Sequence, residues 1–382
     1  MVKRRETYEV KIGDIKIGGH NDVAIQSMTN VPTKNVDGNI NQIRQLVESG
    51  CEIVRLEVSN LKDIDHFAEI KNKLRKDKID IPIVADTHFS PNLALKCLAI
   101  ADKVRINAGN FSDKITKHEK FSETEFREQK ERLQEKLMIF FNAASSEDKP
   151  IRIGINQGSL SGRIVYKFGN TPLAMWESAK ECLDVAESSN FKKIVLSFKS
   201  SNTVKMIEAN KIACTEMDKN GWRFPIHLGV TESGDGEYAR IKSAIGLGTL
   251  LTDGIGDTIR VSLTENPINE IFTAKHILQA CCVRRFYPEI ISCPSCGRTS
   301  YDIQSILGQV KEITKNISQQ KFLKIAVMGC IINGLGEAND ADIAIVGNYN
   351  GTLSIFKNKI CVSKNITQDG FSNAFSQVLT NF

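Results

Sequence analysis

Three stretches decide the fold: Ile53-Val-Arg-Leu-Glu-Val58, Val104-Arg-Ile-Asn-Ala108 and Ile151-Arg-Ile-Gly-Ile-Asn156. Each is a short β-rich run that carries an arginine among branched apolar residues. Working outward, comparable runs recur at 23–28, 81–87, 194–199, 226–231 and 257–264. Helical patterns lie between them, marked by Ile43, Leu46 and Val47, by Ala94, Leu95 and Leu98, and by Ala174, Met175, Ala179, Cys182 and Leu183. Strands alternating with helices predict a parallel sheet. Eight such units predict an α/β fold of the closed (β/α)8 TIM-barrel type. No glycine-rich dinucleotide turn follows the first strand, which argues against an open doubly wound sheet.

Residues 8–19 alternate about Gly13-Asp14 and predict a β-hairpin ahead of the barrel. The connection 111–150 carries a capping box, Ser122-x-x-Glu125, and a charged helix ending near Phe141. A last barrel helix is expected at 269–283, followed by a hinge at 284–288. The reading is therefore a barrel domain over 1–285 and a small α/β domain over 286–382. The second has a strand into Cys293, a helix carrying Ile303, Ile306, Leu307, Val310, Ile313 and Ile317, strands at 323–328 and 342–346, a hairpin-like pair over 353–362 and a final helix at 370–379.

The 382 residues are 41% hydrophobic and 25% charged, which excludes a mostly disordered, collagenous or coiled-coil chain. No apolar run approaches the roughly 18 residues of a membrane span. No apolar secretory segment follows the basic Lys3-Arg-Arg5, so a cytoplasmic protein is expected. Fifty Lys and Arg against 45 Asp and Glu give a net charge of +5, too dilute to argue for nucleic acid. Ten cysteines are far too few for a disulfide scaffold, and clustered ones point to metal or redox chemistry.

Cys293-Pro-Ser-Cys296 is a CxxC, and Cys330 follows in Gly329-Cys-Ile-Ile-Asn-Gly-Leu-Gly-Glu337. Three thiolates with one open position suit iron–sulfur or zinc. The C-terminal domain has no His, so zinc lacks a fourth ligand, and a [4Fe–4S] cluster is the better reading. Glu337, on an expected glycine-rich loop, can approach the fourth iron. Cys281, Cys282 and Cys361 read as buried packing. In the barrel half, Arg55, Asp86 and His88, Arg105 and Asn107, Arg152 and Asn156, Lys199, and Arg260 and Ser262 gather at the C-terminal ends of strands, where barrel active sites lie. So many converging cations call for a polyanion, and arginine forks and a lysine ammonium suit a diphosphate. Glu232, after the seventh strand, is a candidate general acid.

These motifs, with Gln26-Ser-Met-Thr29, Val84-Ala-Asp-Thr-His88, Thr231-Glu-Ser-Gly234 and Gly254-Ile-Gly-Asp-Thr-Ile-Arg-Val-Ser262, resemble those of the 4-hydroxy-3-methylbut-2-enyl diphosphate synthase (IspG/GcpE) family along essentially the whole chain. The resemblance implies reductive opening of 2-C-methyl-D-erythritol 2,4-cyclodiphosphate in non-mevalonate isoprenoid biosynthesis, with flavodoxin or ferredoxin as electron donor. It implies a [4Fe–4S] cluster on Cys293, Cys296, Cys330 and Glu337, and Glu232 as the acid. It implies a diphosphate held by Arg55, His88, Arg105, Asn107, Arg152, Asn156, Lys199 and Ser262. Three residues depart from the family pattern: Leu335 and Ala108 stand where prolines are expected, and Gln157 where an alanine is. Leu335 is expected to loosen the Glu337 segment.

The last barrel helix leaves the chain at the bottom of the barrel, while the site is at the top. A five-residue hinge spans at most about 18 Å. A head-to-tail homodimer is expected, each cluster domain closing on the partner's barrel. Two competing readings are a phosphate-binding lyase or transferase with structural zinc, and a nucleic-acid-binding barrel with a zinc knuckle.

Overall fold

The computed structural model describes residues 2–112, 120–315, 317 and 322–380. It contains two compact units, 1–284 and 285–382.

In the first unit a hairpin, β1 (Val10–Ile12) and β2 (Ile15–Ile17), precedes eight parallel strands. These are β3 (Ala24–Met28), β4 (Ile53–Val58), β5 (Ile83–Thr87), β6 (Lys103–Asn107), β7 (Ile151–Asn156), β8 (Ile194–Lys199), β9 (His227–Leu228) and β10 (Thr258–Ile259). Their order runs β8-β7-β6-β5-β4-β3-β10-β9, and a bridge between Leu196 and Ile226 brings β8 to β9, closing the barrel. The outer helices are α1 (Val36–Glu48), α2 (Leu61–Lys76), α3 (Pro91–Leu98), α4 (Glu123–Ser146), α5 (Gly162–Phe168), α6 (Pro172–Ser188), α7 (Thr203–Lys219), α8 (Gly236–Thr252) and α9 (Ile268–Ala280).

Local chemistry sets the helix starts. Asn60, Ser90, Thr171 and Asn202 cap their helices through side-chain oxygens, and Pro91 and Pro172 supply pre-set first-turn φ. The Ser122/Glu125 capping box is present at α4. That helix runs past Phe141 to Ser146, because Phe140, Phe141 and Ala144 continue its buried stripe. Residues 113–119 of this connection lie outside the described residues. The hairpin residues Val10, Ile12 and Ile17 pack against Ala24, Ile53, Val84 and Val195, sealing the barrel from below with apolar side chains. β9 and β10 are shorter than the runs 226–231 and 257–264 suggest. A side chain at Gly229 would lie 2.8 Å from the Arg260 carbonyl and 2.9 Å from Lys199 Nζ, so the backbone there comes close to its neighbours rather than continuing a side-chain ladder.

The second unit is a five-stranded sheet, β11 (Glu289–Ser292), β12 (Lys324–Met328), β13 (Ile343–Gly347), β14 (Leu353–Lys357) and β15 (Ile360–Ile366) in spatial sequence. The first three strands are parallel and the last two return antiparallel. Helices α10 (Ile303–Thr314), α11 (Ile331–Glu337) and α12 (Phe371–Thr380) complete it. Ile306, Val310, Ile325, Val327, Ile343, Ile345, Ile355, Phe371 and Phe375 form its core. α10 ends at Thr314, and Ile317 packs on the core from beyond it. Among the described residues no helix is long and apolar enough to cross a membrane.

Candidate active site

Alternate residues of a barrel strand face its interior. On that parity Asp86 pairs with Arg105 and Arg105 with Arg152 in register, and Asn156 pairs with Lys199. Asp86 anchors the layer. Its carboxylate accepts from Arg105 Nη1 at 3.0 Å and lies 3.3 Å from Arg55 Nε. His88 Nε2 sits 2.6 Å from the same Arg105 nitrogen. Arg55 also donates to the Met28 sulfur at 2.9 and 3.1 Å, a weak acceptor. Arg260, just past β10, is held by Glu270 of α9 at 3.1 and 3.2 Å. Glu270 in turn accepts from Ser27 at 2.7 Å and from the Leu263 amide at 3.2 Å.

Two glycines make room for these cations. A Cβ on Gly154 would lie 2.6 Å from Arg105 Nε, and one on Gly229 would lie 2.9 Å from Lys199 Nζ.

Among the described residues, the basic side chains of Arg55, Arg105, Arg152, Lys199 and Arg260 outnumber the carboxylates they face, Asp86 and Glu270, by three. Burial, and then the neighbouring arginines, push Arg152 and Lys199 well below their usual ranges. Burial brings Arg55 down to about 10 despite Asp86, with Arg260 and Arg105 adding to the effect. Burial opposes ionisation of Asp86, but Arg55 and then Arg105 outweigh it and hold the carboxyl well below its usual range. Such an excess of basic groups favours a multiply charged anion.

Above the layer lie two adjoining clefts that share Asn156 and Ser159. One, of about 520 Å³, also meets Glu57, His88 and Asn107. The other, of about 390 Å³, meets Gln157, Ser200 and Glu232. Glu232 is exposed, on the loop after β9, with φ +53. Ser262 is half-buried, two residues past Arg260. Asn107 donates to Ser159 Oγ at 2.8 Å and accepts from the Gly109 amide at 3.1 Å, which sets the turn that begins at Ala108. Gln157 accepts from Ser200 at 2.6 Å and donates to the Asn170 carbonyl at 3.1 Å, tying three loops of the rim together.

Sequence reasoning missed Glu270, Met28, Ser159 and the two glycines as parts of this site. Gly154 carried a signal, since a glycine inside a strand marks a close approach. Glu270 carried none, because a carboxylate on a helix reads as surface charge.

In the second unit Cys293 follows β11 and Cys330 caps α11. The Gly329 amide donates to Cys293 Sγ at 3.1 Å, and a Cβ on Gly329 would stand 3.2 Å from that sulfur. Only glycine lets the Cys330 strand end come so close. The turn 295–299 is closed by Thr299, whose hydroxyl accepts from the Cys296 amide at 3.2 Å. Hydrogen bonds from the Arg298 backbone and side chain hold the exposed Cys296 thiol below its usual range.

Three expectations are corrected. Glu337 is not on a loop: residues 331–337 form α11, and Leu335 lies inside it. A proline there would lose an intrahelical amide, so Leu335 permits this turn of helix instead of loosening a loop. Glu337 shares the helix face of Cys330, seven residues or about 10 Å further along the axis. Cys282 is not buried but exposed, with φ +54 at the end of α9, while Cys281 and Cys361 are half-buried. Among the described residues no three metal-binding groups converge on a single ion. A polynuclear cluster spreads its ligands over several irons, so the sulfur donors, the amide on Cys293 and the clearance at Gly329 still fit an iron–sulfur group.

Fold and site together define a TIM-barrel protein with an arginine-rich barrel interior and a cysteine-bearing α/β domain. Residues 7–275 match the GcpE TIM-barrel domain and residues 289–381 the GcpE protein C-terminal domain. The 4-hydroxy-3-methylbut-2-en-1-yl diphosphate synthase (ferredoxin) of Gloeothece citriformis is 45% identical over 366 residues, 95% of this chain and 89% of that protein. The enzymes of the same name from Prochlorococcus marinus and Trichormus variabilis are 42% and 44% identical, over 97% and 95% of this chain and 91% and 89% of theirs. The chain belongs to the GcpE family, the 4-hydroxy-3-methylbut-2-en-1-yl diphosphate synthases.

Proposed function

We infer that this chain is an oxidoreductase that converts 2-C-methyl-D-erythritol 2,4-cyclodiphosphate to 4-hydroxy-3-methylbut-2-enyl diphosphate in isoprenoid biosynthesis. The observation that carries the reading is the excess of basic side chains over carboxylates beneath two clefts, in a chain that also carries the cysteine-bearing domain. The cyclic diphosphate carries two negative charges. Two electrons and one proton break its ring C–O bond and expel a hydroxyl as water, which leaves an allylic diphosphate with three negative charges. The excess of basic side chains therefore favours the product-like charge as it develops.

Arg55, Arg105, Arg152 and Lys199 bind the diphosphate oxygens, and His88, Asn107, Asn156 and Ser262 orient them. Asp86 holds Arg55 and Arg105 in place. Glu232 donates the proton to the departing hydroxyl from the cleft rim. Cys293, Cys296 and Cys330 would hold a [4Fe–4S] cluster, with Glu337 as an exchangeable fourth ligand. When bound, the cluster would relay the two electrons, one at a time, from the reduced donor protein to the substrate.

The names of the relatives support ferredoxin as the electron donor. A head-to-tail homodimer suits the exit from the barrel. Arg284, the last residue of the first unit, bonds the Val23 carbonyl at 3.0 Å and pairs with Glu52 at 2.7 Å, at the bottom ends of β3 and β4. The anion site opens at the opposite ends of these strands. A fully active monomer at high dilution would overturn the dimer.

The test of the function is iron, sulfide and zinc content on protein purified without oxygen, followed by turnover of the cyclodiphosphate with reduced ferredoxin and, separately, flavodoxin. Four irons, four sulfides and formation of the linear diphosphate are expected. Stoichiometric zinc without sulfide would overturn it.

A further inference from the structure

Glu270 belongs to the first turn of α9, on the outer layer of the barrel, yet it is only 2% exposed. Its two oxygens accept four hydrogen bonds. Oε1 accepts from Arg260 Nη2 at 3.1 Å and from the Leu263 amide at 3.2 Å. Oε2 accepts from Arg260 Nε at 3.2 Å and from Ser27 Oγ at 2.7 Å. The carboxylate therefore grips one edge of the guanidinium. Ser27 of β3, itself fully buried, and the backbone after β10 hold the carboxylate from two further sides.

A side-on pair of this kind uses Nε and Nη2 and leaves Nη1 to face away from the carboxylate. Arg260 Nη1 lies 3.7 Å from the Met28 sulfur, the same atom that Arg55 Nε and Nη2 meet at 3.1 and 2.9 Å. Strand order explains the meeting. β3 lies between β4, which carries Arg55, and β10, which leads into Arg260. Two guanidinium groups thus converge on one sulfur, a weak acceptor, from the two sides of β3. An arginine released from Glu270 has several side-chain torsions to explore, and holding it still beforehand lowers the entropy lost on binding.

We propose that Glu270 is a positioning residue for the substrate diphosphate: acting through Arg260, and held by Ser27 and the Leu263 amide, it aims Arg260 Nη1 at the place beside Arg55 where a phosphate oxygen binds. The inference rests on the function proposed above.

The test is Glu270→Asp in the full-length holoenzyme, which keeps the negative charge but draws the carboxylate back by one methylene. Kd for inorganic pyrophosphate and KM for the cyclic diphosphate should each rise about tenfold. kcat should stay unchanged, as expected when ground state and transition state lose the same contact. In an Arg260→Met background the same substitution should change neither constant, because Glu270 acts only through Arg260. Wild-type values of Kd and KM in Glu270→Asp would overturn the proposal, including the case in which only the melting temperature falls. An equal loss with and without Arg260 would overturn it as well. If Glu270→Asp does not fold, Ser27→Ala replaces it. That change removes one bond to the carboxylate and no charge, and should raise Kd about threefold when Arg260 is present and not when it is absent. Wild-type protein that binds pyrophosphate but does not turn over the cyclic diphosphate would count against the function instead, since pyrophosphate binding reads the Glu270–Arg260 pair without turnover.

Discussion

Arg105 lies across Gly154: a single methyl group on that glycine would come within 2.6 Å of Arg105 Nε and 2.8 Å of Nη2. The arginine reaches Asp86 and His88 only because the neighbouring strand has no side chain at that point. Gly154→Ala should displace the guanidinium from this position. A lost charge-assisted hydrogen bond is worth about 1.5–3 kcal/mol, so KM for the cyclic diphosphate should rise about tenfold to a hundredfold. Steady-state kinetics check this, and an unchanged KM would show that Arg105 does not bind the substrate.

Asp86 is the carboxylate on which Arg55 and Arg105 converge. Asp86→Asn should destabilise the barrel by about 3–5 kcal/mol, as expected when one partner of a buried pair is removed. Its folded-state pKa lies below the unfolded value of about 3.9. The ionised carboxylate therefore contributes its full stability above pH ~4, and loses it as pH falls through the depressed folded value. Denaturant unfolding from pH 7 to pH 3 should show a steeper acid loss in wild type than in the variant.

Lys199 is buried among cations, and burial first, then Arg152 and its neighbours, favour its neutral amine. A bound diphosphate reverses that balance and draws a proton onto the amine. Binding should therefore take up protons and weaken as pH rises. Calorimetric titration with inorganic pyrophosphate, in two buffers of different ionisation enthalpy, should detect uptake in wild type and less in Lys199→Met. Equal uptake in both would place the proton elsewhere.

Cys296 is exposed and its thiol is acidified by hydrogen bonds from Arg298, whereas the exposed Cys282 is a useful reference. The thiolate is the reactive form. In the metal-free chain near pH 7, limiting iodoacetamide should alkylate Cys296 before Cys282. The preference should shrink as pH rises past the normal thiol range, and Arg298→Met should reduce it. Peptide mass spectrometry gives the ratio directly.

The alternation of strand and helix, the hairpin, the Ser122 capping box and the cations near the strand ends were all readable in the chain, because each is set by residues close in sequence. Parity alone placed Asp86 with His88, Arg105 with Asn107 and Arg260 with Ser262 on shared faces. The helix at Ile331–Glu337 was not readable, because two glycines imitate a loop while its ends are set by contacts with the sheet. A Cβ on Gly334 would already touch Met328 and Val346 at 3.0 Å. Glu270 and Met28 were invisible for a related reason. Glu270 reaches Arg260 only once α9 packs outside the barrel, and Met28 faces Arg55 only through the register of β3 and β4. Local periodicity determines what kind of element forms and which side chains share a face. Whether charges on different strands meet, stay unpartnered or are neutralised depends on register, closure and burial, and these exist only in the folded barrel.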